Sequence, residues 1–258
     1  MTSTGRAGLV IAVDGPSGSG KSSAARGAAR ALGLRYLDTG AMYRAATLWM
    51  LRHGVDVADP AAIAASAPRP VIEVGIDPDG PGGPAVVLDG DVVTGPIRSR
   101  EVSNAVSAVS AVPDVRARLV AMQRSIIASA ADPGPAAREP GSPGGEASRG
   151  GDGRPGGIVV EGRDIGTVVA PDAQVKVFLT ASEAARAERR TRDLEADPAA
   201  TLTVTQQEMT RRDRLDSTRA ASPLLKAPDA VEIDSTRLGL DEVIAQIVAL
   251  AQQRAVSA

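Results

Sequence analysis

The stretch LVIAVDGPSGSGKSSAARGAARALG, residues 9–33, decides the fold. Its first five residues are apolar and mostly β-branched, which reads as a short buried strand. DGPSGSG follows, and then an alanine-rich run that reads as a helix up to Gly33. Within it, GPSGSGKS (15–22) fits G-x-x-x-x-G-K-[ST] in the strand–loop–helix context that phosphate binding requires. Glycines let successive N–H groups converge on phosphate oxygens, and the helix start adds its positive dipole end. The expected ATP contacts are Gly15, Pro16, Ser17, Gly18, Ser19, Gly20, Lys21, Ser22 and Ser23. Lys21 would reach the β- and γ-phosphates, and the Ser22 hydroxyl would ligate Mg²⁺. With 27 Gly, three Lys and 33 Ser plus Thr, chance would supply roughly 0.004 such matches in the chain.

Working outward, RYLD (35–38) is a second short strand entering the helix TGAMYRAATLWMLRHG, closed by Gly54. Strand, helix, strand, helix is the start of a parallel α/β sheet. From about 70 to 98 the pattern changes to short strands between Gly/Pro/Asp turns (VIEVGI, AVVLDG, DVVTG), a small antiparallel unit. Helices resume with REVSNAVSAVSA and, after Pro113, with DVRARLVAMQRSIIASA. Residues 132–157 hold fourteen Gly or Pro in twenty-six positions and no periodic apolar face, so we read a disordered insertion there. GIVVEG (157–162), VKVFLT (175–180) and AVEID (230–234) read as further buried strands. Arginine-rich helices lie between the last two, and LDEVIAQIVALAQQ closes the chain as an amphipathic helix. The expectation is a five-stranded parallel sheet of the nucleotide-binding kind with two inserts.

Composition bounds the function. With 29 basic and 31 acidic side chains, the net charge of −2 argues against a protein held by nucleic-acid phosphates. Zero cysteines exclude disulfides and thiolate chemistry, and one histidine, His53, excludes a multi-histidine metal site. The four aromatics leave little for a base-stacking platform. No apolar run approaches the ~18 residues of a membrane span, so a cytoplasmic protein is expected. Of the basic residues 26 are arginine, which a codon bias explains and which makes arginine clusters less informative. Lys176 and Lys226 belong to no motif and are expected at the surface, His53 is expected to be structural, and Tyr43, Trp49 and Phe178 are expected in the core or at its edge.

A phosphate loop says nucleotide, not reaction. The only asparagine, Asn104, is followed by alanine, so the base-reading motif of a GTPase switch is missing. A small phosphotransferase remains. Its acceptor side is marked by DTGAMYR (38–44), EGRDIG (161–166) and RRDRLDSTR (211–219), which stand where strands should end. Each pairs arginine with a carboxylate, suiting a ligand with a phosphate and neutral polar groups.

GPSGSGKSS, LDTGAMYR, GRDIGTVV and RRDRLDSTRAASPL, in this order and spacing, resemble the bacterial cytidylate kinases from about residue 9 to 250. The resemblance implies a nucleoside monophosphate kinase: a three-layer α/β/α core over 1–69 and 99–258 with a helical lid at about 186–215, and a monophosphate-binding β insert at 70–98. It implies ATP and CMP or dCMP as substrates, Mg²⁺, and a monomer. Residue by residue, it assigns Arg44, Arg163 and Arg219 to the acceptor phosphate, with Thr39 beside them. Ser107, Arg116 and Asp164 would read the cytosine edge, Asp216 would hold the ribose, and Arg212 would bridge phosphates during transfer. Arg186 and Arg189 would close over ATP. Lys21, Arg163, Arg212 and Arg219 form the implied catalytic set. Thr39 stands where the family often has serine, and Glu161 where many relatives have aspartate. The rivals are a kinase for UMP, AMP or a sugar acid, and a non-catalytic ATP-sensing module.

Overall fold

The computed structural model describes residues 8–80, 83–132, 156–193 and 201–256. Five strands, β1 (Leu9–Asp14), β2 (Arg35–Asp38), β6 (Gly157–Gly162), β7 (Val175–Thr180) and β8 (Val231–Asp234), form one sheet in the order β2-β6-β1-β7-β8. Every pair in it is parallel. The apolar runs of the central strands are buried on both faces, which parallel sheets require. Val10, Ala12, Leu37, Ile158 and Val160 face a core shared with α2 (Thr39–Arg52), α4 (Arg100–Ala111) and α5 (Pro113–Ala131). Ile11, Val13, Tyr36, Val159, Val177 and Leu179 face the opposite core, closed by α1 (Lys21–Leu32) and α8 (Leu240–Val256).

The antiparallel unit is a second sheet, tied to the first by Tyr36 N, which donates to Ile76 O at 2.9 Å. β3 (Ile72–Val74), β4 (Val86–Leu88) and β5 (Asp91–Val92) make a three-stranded sheet of their own. Arg26 of α1 reaches it, donating to Pro78 O at 2.9 Å and Gly80 O at 3.0 Å. On the other side, α6 (Glu183–Asp193) packs against α7 (Leu202–Thr218) where the lid is expected.

Two expectations need correction, and one helix is added. AVEID does not form a buried strand: β8 is the sheet edge, with Val231 44% exposed and only Ile233 of its four residues buried. Lys176 is not a surface residue. Its side chain is 8% exposed and pairs with Asp229 at 2.8 Å, because it stands on β7 next to the edge strand. Lys226 is half-exposed as expected. A helix not read from the sequence, α3 (Pro60–Ser66), carries an Asp59 N-cap that accepts from Ala61 N at 2.9 Å. His53 is structural, as expected: it closes α2 and stacks on Trp49 at 3.9 Å.

The segment 132–157, expected to be disordered, lies outside the described residues except at its ends. Those ends meet at Gly8, whose N–H donates to Ala131 O at 2.8 Å. A Cβ on Gly8 would stand 2.4 Å from that oxygen and 2.6 Å from Gly156 C, so only glycine permits the approach. Deleting 134–156 is expected to leave turnover within a few-fold of the full chain. Loss of the cooperative thermal transition in the deleted protein would show that the segment is structural.

Candidate functional site

β1 delivers the phosphate loop at the carboxyl edge of the sheet, and the loop runs into the N-terminus of α1. Gly18 adopts φ +72°, and a Cβ there would lie 2.6 Å from Met209 Cε and 2.8 Å from Arg186 O. α6 and α7 therefore rest directly on the loop. Asp213 of α7 accepts from Ser17 N at 3.0 Å, and Arg186 donates to Ser17 O at 3.0 Å and pairs with Asp213.

Lys21 donates to Pro16 O at 3.2 Å. Burial, with the repulsion of Arg163 and Arg212, lowers its pKa from 10.5 to about 7, against the pull of Glu161 and Asp38. Beside it, Ser22 Oγ donates to Glu161 Oε2 at 2.9 Å, and Tyr36 OH donates to Glu161 Oε1 at 2.5 Å. Burial, and then the charge of Asp38, pushes the Glu161 carboxyl above its usual range.

A cavity of about 420 Å³ opens on this loop. It collects Ser17, Gly18, Gly20, Lys21, Ser22 and Ser23 with Thr39, Arg44, Ser107, Arg116, Arg163, Asp164, Arg212, Asp216 and Arg219. Arg163 donates through Nε to Asp216 Oδ2 and through Nη1 to Gly15 O, both at 3.0 Å. Ser107 Oγ donates to the other Asp216 oxygen at 3.2 Å. Asp164 is paired with Arg116 and stands 3.6 Å from Arg219 Nη2. Arg163 and Asp164, neighbours in sequence, thus reach different partners and do not pair with each other.

The electrostatics follow from crowding. Burial raises Asp216, but Arg163, Arg212 and Arg219 outweigh it and hold the carboxyl below its ordinary value. Burial raises Asp164 despite Arg116 and Arg219. Arg212 falls to about 10, first by burial and then by Arg163, and its buried Nε has no hydrogen-bond partner among the described residues. Burial also lowers Arg44, which donates to Ser103 Oγ at 2.8 Å and Ile97 O at 3.1 Å. Seven arginines against four carboxylates on the cavity wall leave an excess of positive charge, a setting for anionic oxygen.

Five of the expected ATP contacts do not line the cavity. Gly15 and Pro16 contribute carbonyls to Arg163 and Lys21. Ser19 is buried beneath the loop, and its carbonyl accepts from Ser235 Oγ at 3.1 Å. Arg186 is buried on Ser17 O, Ala181 O and Asp213, and Arg189 donates to Ser235 O at 2.6 Å. Both arginines brace the loop here. Read from the sequence, Arg98 and Arg190 have no role, and Asp38 and Asp213 enter only as members of the DTGAMYR and RRDRLDSTR clusters. Arg98, Asp38 and Arg190 line the cavity. Asp38 was readable, since an aspartate before a helical run is an N-cap, and it accepts from Ala41 N at 2.9 Å.

Among the described residues no three His, Cys, Asp or Glu side chains gather as a metal site. Ser22 Oγ and the Glu161 carboxylate are nonetheless adjacent hard oxygen donors on the cavity wall. That set fits a magnesium ion, which takes one or two protein oxygens and completes its shell with phosphates and water. Among the described residues no helix is long and apolar enough to cross a membrane.

The cytidylate kinase family model matches residues 11–132 and 152–253. The cytidylate kinase of Streptomyces griseus subsp. griseus is 48% identical over 99% of this chain and 97% of its own length. That of Rhodococcus jostii is 50% identical over 95% of this chain and 96% of its own, and that of Mycobacterium leprae 47% over 95% and 96%. A phosphate loop, an arginine-rich cavity wall and similarity along nearly the whole chain agree: the chain belongs to the cytidylate kinase family.

Proposed function

We propose that the protein transfers the γ-phosphoryl group of ATP to CMP or dCMP, giving ADP and CDP or dCDP. The observation that carries this reading is one cavity joining Lys21 and the phosphate loop to Ser107, Arg116, Asp164 and Arg219. Asp164 is an acceptor for an exocyclic amine, and the adjacent Arg116 and Ser107 are donors for a ring carbonyl and nitrogen. A sugar-acid kinase has no use for that set. Arg44, Arg163 and Arg219 are assigned to the acceptor phosphate, and Asp216 to the ribose hydroxyls.

An oxygen of the CMP phosphate attacks the γ-phosphorus as the bond to the ADP oxygen breaks. The attacking oxygen is already anionic at neutral pH, so no strong base is needed and catalysis is mainly positioning and charge stabilisation. Loop amides and Lys21 neutralise the ATP side, and Arg163, Arg212 and Arg219 neutralise the acceptor side. Arg212, whose buried Nε has no hydrogen-bond partner among the described residues, is assigned to span the moving group. Ser22, with Glu161 adjacent, would hold Mg²⁺, which would supply charge neutralisation on the ATP phosphates.

The test is coupled ADP release with Mg-ATP and CMP, dCMP, UMP or AMP offered separately. Turnover with CMP and dCMP well above UMP and AMP is expected. ATP binding without turnover of any monophosphate would leave a nucleotide-binding module and defeat the acceptor assignment.

A further inference from the structure

Asp14, the last residue of β1, is a buried carboxylate that none of the steps above uses. Its Oδ1 accepts from Ile165 N at 2.8 Å and its Oδ2 from Gly166 N at 2.7 Å. These are the first amides of the tight helical turn Ile165–Val169, which directly follows Arg163 and Asp164. One residue on, Gly15 O accepts from Arg163 Nη1 at 3.0 Å. Two consecutive residues of the ATP side therefore hold both the backbone and a side chain of the acceptor side.

We propose that Asp14 is a positioning residue for phosphoryl transfer: its two oxygens fix the turn carrying Arg163 and Asp164 at a set distance from the phosphate loop. The inference rests on the phosphotransferase reading above. A carboxylate is suited to this because it accepts two parallel N–H bonds at once, whereas asparagine offers one oxygen and turns an N–H₂ toward the second amide. The arrangement is costly: burial raises the Asp14 carboxyl to about 6, against the lowering by the Gly166 and Ile165 amides. Lys21 and Ser22 do not depend on these bonds, so the effect falls on the acceptor.

The test compares full-length wild type and Asp14→Asn, using whichever monophosphate the wild type turns over. A misplacement of about 1 Å lowers kcat/KM for the acceptor ~10²-fold, chiefly in kcat, while the Kd of Mg-ATP stays within about threefold. Amide exchange at Gly166 accelerates in the variant. If Asp14→Asn does not fold, Gly166→Ala carries the test. Its Cβ would stand 3.4 Å from Asp14 Oδ2, an ordinary contact, and 3.2 Å from Lys176 Cδ, so the lysine stem beside the carboxylate must shift by a few tenths of an ångström. The same split, at about tenfold, is expected there. Acceptor kinetics within threefold of wild type overturn the inference alone, as does a fall in ATP and acceptor affinity together in step with lost thermal stability. A wild type inactive on every monophosphate overturns the function and the inference together.

Discussion

Replacing Arg163 by alanine is expected to cut kcat at least ~10³-fold while Mg-ATP binding stays within a few-fold. The guanidinium touches both sides of the site, donating to Gly15 O and to Asp216, each at 3.0 Å. Alanine removes the positive charge where negative charge shifts between phosphates, and it also frees the acceptor arm from the loop. There is a stability cost as well. Asp216 is buried and loses the strongest of the three arginines that hold it ionised. Because Arg212 and Arg219 remain, the cost is expected at roughly 2–3 kcal/mol, somewhat below that of breaking an isolated buried pair. Steady-state kinetics with a thermal melt read both effects. Turnover within tenfold of wild type would remove Arg163 from the mechanism.

The second large effect is at Lys21, where methionine is expected to abolish measurable phosphoryl transfer. The same variant should reveal a proton. Burial and neighbouring arginines lower Lys21 to about 7, so at pH 8 the neutral amine is expected to predominate before ATP binds. Triphosphate oxygens restore a charged partner, and the amine regains its proton. Calorimetric titration in buffers of different ionisation enthalpy should show uptake approaching one proton per ATP at pH 8, and little at pH 6. Lys21→Met should take up none. The linkage has a definite sign. Between about 7 and 10.5 the unfolded chain holds a proton that the folded one has shed, so this group's contribution to stability rises with pH across that window. No uptake by the wild type at pH 8 would show that Lys21 is charged before ATP arrives.

The phosphate loop was legible because it is contiguous: one short stretch carries glycine spacing, lysine and hydroxyl together. The central strands were legible because strands buried on both faces read as unbroken apolar runs. β8 was misread for the converse reason, since a short apolar pair such as Val231 and Ile233 looks alike in an edge strand and a central one. Lys176 was misread because its partner, Asp229, stands 53 positions away in sequence. The acceptor side was legible as three arginine–carboxylate clusters, but the role expected of each residue came from the family resemblance. Ser107 and Arg116 are unremarkable where they stand and gain meaning only when the fold sets them beside Asp216 and Asp164. Asp14 was passed over since nothing in DGPSGSG shows that its carboxylate turns away from the phosphates toward Ile165 and Gly166.

The meeting of Ala131 and Gly156 at Gly8 has a practical consequence. β6 starts at Gly157 and runs parallel to β1, so this junction lies at the amino ends of the strands, while the cavity opens at their carboxyl ends. Two chain ends held side by side, a full strand length from the chemistry, form a socket for foreign sequence. A fluorescent protein, an affinity handle or a surface tether spliced between 134 and 156 would leave the nucleotide entrance clear, making this a mounting point for an immobilised or self-reporting phosphotransferase.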